Sequence, residues 1–284
     1  NGAPGILPSF SDSGTFEDFY AAGGVSLDYR ITDRTTVYTS AKTGYAGGGF
    51  QDFNAQAPFG IPQPSFPSST SQSFELGAKG LFLDDKLFLN GAAFFNRIEN
   101  GHTQVFDSAT FSFFVEPLDY TTFGFEAEAQ YQINDYWQVF GAVGLTESRF
   151  FDVEPGVPSG AINGNPLPNV PMWQANFRAV NTLPLDDIGL KGNIVTTGEI
   201  QFVDERPADI ANSFTLDSYV VVNAQIGWEN ENFKFYAFGR NLTDTNIQVF
   251  GEQFAADPVA GPFVNAVTLQ STDRIVGFGG EIRF

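Results

Sequence analysis

The sequence predicts an all-β protein, an antiparallel transmembrane β-barrel of the outer-membrane type. Polar turn clusters recur along the chain, beginning at Ile31, Leu83, Ile133, Pro184 and Glu229, 45 to 52 residues apart. Each cluster is flanked on both sides by runs rich in Val, Tyr, Phe, Thr and Ala, which is typical of β-hairpins. The hairpins are joined mostly by long segments rich in Gly, Pro, Ser and Asn, so short turns and long loops alternate, as they do in outer-membrane barrels.

Eleven strands follow from this pattern, at about residues 16–31, 35–48, 71–83, 86–106, 110–132, 137–150, 171–183, 190–203, 218–229, 233–244 and 273–284. Several exceed the 9–11 residues that cross a bilayer, so we expect them to project beyond the membrane. Bacterial single-chain barrels generally have an even number of strands. The odd count therefore predicts the second half of a 22-stranded barrel, a size that houses a plugged lumen. The alternative is a complete barrel of 10 or 12 strands with one strand wrongly divided.

The composition argues against several other classes of protein. There are 33 acidic and 14 basic residues, a net charge of −19, which disfavours nucleic-acid binding. Cysteine is absent and His102 is the single histidine, so thiolate chemistry is excluded and multi-histidine metal sites are not expected. No nucleophile motif or phosphate-binding loop is present. We therefore predict no enzymatic activity, no cofactor and no metal site.

The two faces of the predicted strands differ in polarity. Between Phe123 and Ile133, apolar residues alternate with Gly124, Glu126, Glu128 and Gln130, and the same alternation recurs in 220–228 and 275–284. We expect the apolar face to meet lipid and the polar face to line the lumen. The alternatives are the solvated face of a soluble sheet and, for each charge, a structural cross-strand ion pair. The predicted lumen-facing charges are Glu126, Glu128, Arg178, Arg240, Glu281 and Arg283.

Four segments together resemble the TonB-dependent outer-membrane receptors. They are Tyr38–Phe50 (YTSAKTGYAGGGF), Gly164–Pro171 (GNPLPNVP), Phe238–Asp244 (FGRNLTD) and Gly279–Phe284 (GGEIRF). They follow the order of the family and span nearly the whole chain. Thr243 stands where the family usually has an aromatic residue, and the family's N-terminal plug and TonB-contacting box are not in this sequence.

The resemblance implies that residues 1–284 form the C-terminal portion of a receptor barrel in the bacterial outer membrane. The implied function is active uptake of a scarce nutrient such as a ferric siderophore. The implied partners are outer-membrane lipid, the nutrient, TonB acting through the missing plug, and the barrel assembly machinery, for which the final Phe284 is the implied assembly signal. A passive porin or diffusion channel and, less favoured, a soluble β-sandwich binding protein remain as alternatives.

Aromatic residues of two long loops are the candidate ligand contacts, because exposed rings can grip a siderophore or stack on a sugar. The alternative is that they pack the loops against one another. His102 is expected to be a surface residue rather than a haem or iron ligand. The candidates are Phe50, Phe53, Phe59 and Phe66 in one loop and Phe250, Phe254 and Phe263 in the other.

Overall fold

The computed structural model describes residues 14–50, 65–107, 112–254, 265–270 and 273–283. Their strands are β1 (Gly23–Thr32), β2 (Thr35–Ala46), β3 (Gly49–Phe50), β4 (Ser65–Phe66), β5 (Ser69–Phe82), β6 (Leu87–Asp107), β7 (Ser112–Gln132), β8 (Trp137–Phe151), β9 (Trp173–Pro184), β10 (Asn193–Val203), β11 (Arg206–Pro207), β12 (Thr215–Leu216), β13 (Tyr219–Glu229), β14 (Phe233–Arg240), β15 (Gln248–Phe254), β16 (Asn265–Gln270) and β17 (Ile275–Ile282). A 3₁₀ turn covers Asp186–Ile188. Among these residues, no helix has the length and apolar character needed to cross a membrane.

Eleven of the strands form one antiparallel sheet, in the order β1-β2-β5-β6-β7-β8-β9-β10-β13-β14-β17. Each strand pairs with its neighbours along the chain, once the short strands of the loops are set aside. The all-β antiparallel prediction and the count of eleven are confirmed. The sheet is continuous, which is inconsistent with a sandwich of two packed sheets. In the described part of the chain β1 and β17 are its two edges, so the sheet does not close on itself.

The tight turns all lie at one end of the sheet, and their polar residues form them. Asn134 accepts hydrogen bonds through its side-chain oxygen from the backbone N–H groups of Tyr136 and Trp137, at 2.9 Å each. In the β13–β14 turn, the side-chain oxygen of Asn230 likewise accepts hydrogen bonds from the backbone N–H groups of Asn232 and Phe233. Asx turns of this kind reverse the chain at small cost, which explains the recurring Asn and Asp clusters.

Two predicted strand boundaries are wrong by four residues or more. The first strand begins at Gly23 rather than at residue 16. The penultimate strand ends at Arg240 rather than at residue 244, because Asn241 and Asp244 adopt left-handed conformations in a turn that leaves the sheet. In addition, the long loops contain three short two-stranded sheets, β3-β4, β11-β12 and β15-β16, which the sequence pattern did not predict.

The apolar face of the sheet is widely exposed. Val25, Leu76 and Phe278 are 69%, 64% and 86% exposed, although a soluble protein rarely displays so large an apolar surface. On β7 this face runs from Phe123 to Tyr131, about 27 Å along the strand at 3.4 Å per residue. That length is close to the ~25 Å apolar band of outer-membrane barrels. The surface is therefore suited to lipid rather than to water.

The main hydrophobic cluster lies at the long-loop end rather than within the sheet. Leu118 and Phe150 pack with Ala161 of the β8–β9 loop, and Tyr120 and Ile210 lie against them. Here β7 and β8 extend past the lipid-facing band and the loop folds back onto them. The loops at this end therefore have a packed core of their own.

Candidate functional site: the polar face and the loop end of the sheet

The predicted lumen charges share one face of the sheet. In the strand register Glu126 lies opposite Ala92 and Gly144, and Arg178 lies opposite Phe140 and Glu199. At the long-loop ends of β6 and β8, Arg97, Glu99, Glu147 and Arg149 lie on the apolar face by register. Following the ladders across the rest of the sheet places a set of strand charges on the face opposite to the exposed Phe and Leu residues. This set comprises Asp28, Arg30, Lys42, Glu75, Lys79, Glu126, Glu128, Arg178, Glu199, Arg240 and Glu281. Arg283 follows β17 directly.

Glu126 and Glu128 line an open cavity of about 420 Å³ on this face, together with Glu75 and Tyr38. Asn90 donates a hydrogen bond from Nδ2 to Oε1 of Glu128 at 3.1 Å. In the described part of the chain neither Glu126 nor Glu128 has a basic partner within 4.0 Å. The cavity therefore presents two carboxylates that form no ion pair with the described residues.

Arg178 and Arg240 on the polar face lie against aromatic rings rather than against carboxylates. The guanidinium of Arg178 is 5.8 Å from the ring centre of Phe140, and that of Arg240 is 5.5 Å from Phe238. Although Glu199 lies opposite Arg178, its carboxylate accepts a hydrogen bond from Asn176 at 3.1 Å. Cross-strand ion pairing, the alternative for these charges, is absent among the described residues for both arginines.

An ion pair does join the last two predicted charges. Nε of Arg283 lies 2.9 Å from Oε1 of Glu281, and both side chains are about half exposed. The pair runs along one strand rather than across two. Exposed pairs of this kind contribute little to stability, typically 0–1 kcal/mol.

Aromatic side chains also occupy the polar face, and the sequence reasoning missed their role there. Tyr38 covers Gly77 on the neighbouring strand, and Tyr236 and Phe238 cover Gly279 and Gly277. In each pair the ring fills the space that the glycine leaves. The signal was present in the sequence as Gly and aromatic residues at polar-face positions, but only the register shows which glycine faces which ring.

At the long-loop end, chain segments fold over the polar face. Val203 and Val221 belong to this face by register, yet each is only 7% exposed. The guanidinium of Arg206, in β11, lies 5.8 Å from the ring centre of Tyr219, which shares the face. The β10–β13 loop therefore narrows the mouth of the polar surface. Nothing in the sequence pattern singled out Arg206.

The candidate ligand-binding phenylalanines that the structure describes fall in two separate loop sheets. Phe50 and Phe66 lie in β3 and β4, and the ring of Phe66 is 4.9 Å from that of His102, edge to face. Phe250, in β15, is 43% exposed. Phe254 ends β15, but its side chain is outside the described residues, as are Phe53, Phe59, Phe263 and Phe284. The described rings are not brought together into one site.

His102 has a local structural environment. Its Nε2 lies 2.8 Å from the backbone oxygen of Pro67, and the side chain is exposed. Within the described ranges no group of three or more His, Asp or Glu residues is arranged to hold a metal. His102 is therefore a surface residue whose hydrogen bond joins β6 to the segment between β4 and β5.

The Asn241–Asp244 turn ties three strands together at the loop end. Asn241, 6% exposed, donates from Nδ2 to the backbone oxygen of Thr245 at 2.8 Å and accepts from the N–H of Thr245 at 2.9 Å. Its own N–H donates to the side chain of Asn223 in β13. Asp244 in turn accepts from the N–H of Arg274, just before β17. This motif therefore sets where the last long loop leaves and re-enters the sheet.

Asp18 anchors the segment before β1. Its carboxylate accepts hydrogen bonds from the hydroxyl groups of Ser68 and Tyr45, the latter at 2.8 Å, and from the N–H of Phe19. The Ser68 and Tyr45 hydrogen bonds lower the pKa of the Asp18 carboxyl below its usual value. The neighbouring rings of Tyr20 and Tyr45 stack with their centres 3.6 Å apart.

Comparison with known proteins places the chain among relatives of one kind. Residues 4–242 match the family described as TonB dependent receptor-like, beta-barrel. The chain is 26% identical over 270 residues to the probable TonB-dependent siderophore receptor PiuA of Acinetobacter baumannii, covering 88% of this chain and 33% of that protein. It is 23% identical over 258 residues to the pesticin receptor of Yersinia pestis, covering 88% and 35%. The chain thus spans about a third of the length of these curated relatives.

Solved structures show the same fold. The ferric yersiniabactin uptake receptor FyuA of Yersinia pestis superposes with a TM-score of 0.76 at 21% identity, over 93% of this chain and 37% of that one. The siderophore receptor PiuA of Acinetobacter baumannii gives a TM-score of 0.64 at 21% identity, over 92% and 36%. At these identities the likeness concerns the fold alone.

Proposed function

Because the chain belongs to the TonB dependent receptor-like β-barrel family, we propose that it forms part of the wall of an outer-membrane receptor that actively imports a scarce nutrient such as a ferric siderophore. The family location in the bacterial outer membrane agrees with the predicted one, and the family comprises receptors rather than enzymes. The observation that carries the proposal is the match over residues 4–242 together with a sheet that is polar on one face and apolar on the other.

We further propose that residues 1–284 are the C-terminal portion of a 22-stranded barrel. Three observations support this proposal. The sheet has eleven strands, its edges β1 and β17 are unpaired in the described residues, and the chain spans about a third of its relatives. An upstream portion would pair with both edges, and its plug would fill the lumen. Assembly of the whole would involve the barrel assembly machinery.

The physical logic of such a receptor explains its need for energy. A nutrient at nanomolar concentration requires tight binding, and tight binding means slow release. The outer membrane has no ATP, so the work of release must come from elsewhere, which is the part proposed for TonB acting on the plug. In this scheme the apolar face holds the chain in lipid, and the polar face contacts the plug and the path opened beside it.

Energised uptake distinguishes this function from passive diffusion. Cells carrying the full-length receptor are supplied with a panel of ⁵⁵Fe-labelled siderophores, with and without TonB. We expect saturable uptake of at least one iron complex that is abolished without TonB. Uptake that is linear with concentration and independent of TonB would instead establish the diffusion channel.

The polar-face charges are proposed to hold the plug or to line the path. The double variant Arg178→Gln, Arg240→Gln is expected to take up the nutrient more slowly, because each arginine is a cation on the polar face without an ion-pair partner among the described residues. Arg34→Gln, in an exposed pair with Asp85 at the tight-turn end, is the matched control and is expected to leave uptake unchanged. Unchanged uptake and unchanged barrel stability in the double variant would remove the proposed role.

A further inference from the structure

Arg206 is a buried cation near the mouth of the polar face. Its residue is 6% exposed, Nη2 donates to the backbone oxygen of Gln248 at 2.6 Å, and its guanidinium lies over the ring of Tyr219. Nη1 is enclosed and has no hydrogen-bond partner among the described residues. The neighbouring Leu216 and Ala208 are 0% and 2% exposed, so the surrounding loop sheets are closely packed.

The guanidinium of Arg206 forms no ion pair with the described residues. In the described part of the chain no carboxylate lies within 4.0 Å of it. Asp209, the buried acid of the same loop, is instead engaged by the N–H and the hydroxyl group of Ser213. A buried charge without a partner costs several kcal/mol, and a buried donor without an acceptor adds to that cost. The hydrogen bond to Gln248 and the contact with Tyr219 use only part of the guanidinium and leave Nη1 without an acceptor among the described residues.

Arg206 also lines an open cavity of about 500 Å³ at the loop end, with Thr146, Ser148, Met172 and Arg149 among the other lining residues. Arg149 is already paired with Glu147. Arg206 is therefore the lining guanidinium that lacks a carboxylate among the described residues. The hydroxyl group of Thr146 adds neutral hydrogen-bonding capacity to the same wall, whereas that of Ser148 already accepts a hydrogen bond from the N–H of Leu167.

We propose that Arg206 is a specificity-determining residue that binds a carboxylate group of the imported compound. This inference rests on the proposed uptake function and adds to it the chemical class of the cargo. Asp204 and Glu205 also line the cavity, so its electrostatic potential does not attract anions in general. Recognition must come from direct, charge-assisted hydrogen bonding, and the planar guanidinium is matched to a planar carboxylate. A small monovalent ion such as chloride lacks that geometry.

The test uses the purified full-length receptor in detergent, free of cargo, with citrate as the probe. Binding is followed by calorimetric titration at constant ionic strength set with sodium chloride. We expect saturable citrate binding by the wild type. The affinity is expected to fall about tenfold or more in Arg206→Met, which matches the loss of one charge-assisted contact of about 1.4 kcal/mol or more. Arg206→Lys keeps the positive charge but loses the planar set of N–H donors that can bond both carboxylate oxygens. We therefore expect an intermediate affinity for citrate.

The unfolding temperature without citrate separates binding from a structural role. Because replacing an unbalanced buried charge by an apolar side chain is often neutral or stabilising, Arg206→Met is expected to unfold at or above the wild-type temperature. Arg34→Gln is the control and should bind citrate as the wild type does.

Three results would overturn the inference. They are no saturable citrate binding by the wild type, unchanged affinity in Arg206→Met, or a marked loss of stability in Arg206→Met with citrate affinity unchanged in Arg206→Lys. If Arg206→Met does not fold, the inference is overturned as well, since the side chain is then structural. None of these results bears on TonB-dependent uptake by the wild type, which is measured separately.

Discussion

At the scale of single residues, Gly124 marks a close approach between two strands. A Cβ atom at Gly124 in β7 would collide with the backbone oxygen of Leu145 on β8 and touch the ring of Phe94 from the other side. The backbone oxygen belongs to the ladder and cannot turn aside as a side chain can. Gly124 is therefore required by packing rather than by its own conformation.

Gly124→Ala is expected to destabilise the barrel by about 1–3 kcal/mol, since β7 and β8 must separate locally. The matched control is Gly141→Ala in β8, where a Cβ would meet nothing within 4 Å. Urea unfolding of the full-length receptor in lipid vesicles measures both. Equal unfolding midpoints for the two variants would contradict the predicted close contact.

Asp18 should give the loop end a pH-dependent contribution to stability. Its carboxyl has a lowered pKa in the folded state because the Ser68 and Tyr45 hydroxyl groups donate to it. The contribution is therefore fully present above the unfolded pKa of about 3.9 and is lost as the pH falls through the lowered folded value. The difference in unfolding free energy between wild type and Asp18→Asn should be constant near neutrality and shrink below about pH 4. A difference that grows with acidity would contradict this sign.

At the scale of elements, the sequence predicted the long strands well because alternation and turn chemistry are local signals. The β6 to β8 ladder matches the predicted segments to within two residues at either end. The loop sheets β3-β4 and β11-β12 escaped prediction because their two-residue strands carry no periodicity. The burial of Arg206 could not be predicted either, because it results from the packing of two loops that are distant in sequence.

The β5–β6 turn has an unusual conformation. Leu83, Asp84 and Asp85 are three successive residues with positive φ, at 52°, 55° and 66°. Asp tolerates this region, but Leu pays a steric cost for it. Leu83→Asn is expected to stabilise the protein by about 1 kcal/mol, because Asn adopts the left-handed region more readily.

Leu190→Asn is the control for that change. Leu190 lies in the β9–β10 turn and is 57% exposed, against 59% for Leu83, but it is not among the residues with positive φ. The two variants lose similar apolar surface at the same end of the sheet, so chemical unfolding should show a gain for Leu83→Asn alone. A loss in both would show that the conformational cost at Leu83 is negligible.

At the scale of the whole molecule, the decisive property is that the two faces of one sheet meet different surroundings. The sequence predicted which residues share a face, because a strand has a period of exactly two. It did not predict how the strands align, and that alignment is what gathers Glu75, Glu126 and Glu128 around one cavity. Alternation alone also leaves open which face is lipid-exposed. The wide exposure of Val25, Leu76 and Phe278 indicates that the apolar face is the one that contacts lipid. A pair of matched substitutions tests that assignment.

Ala127 and Ala92 are suited to this test because both are alanines at the same level of paired strands, on opposite faces. Ala127 in β7, at the centre of the apolar band, lies between Gly91 and Val143 on the apolar face, and Ala92 in β6 lies between Gly77 and Glu126 on the polar face. Ala127→Arg is expected to cost about 2–4 kcal/mol, as arginine does at the lipid midplane of outer-membrane barrels. Ala92→Arg gains Glu126 as a neighbouring carboxylate and should be tolerated. Folding of each full-length variant into lipid vesicles, followed by urea unfolding, gives the two free energies. If Ala92→Arg is the more damaging, the polar face is the one that meets lipid, and the orientation of the sheet must be reversed.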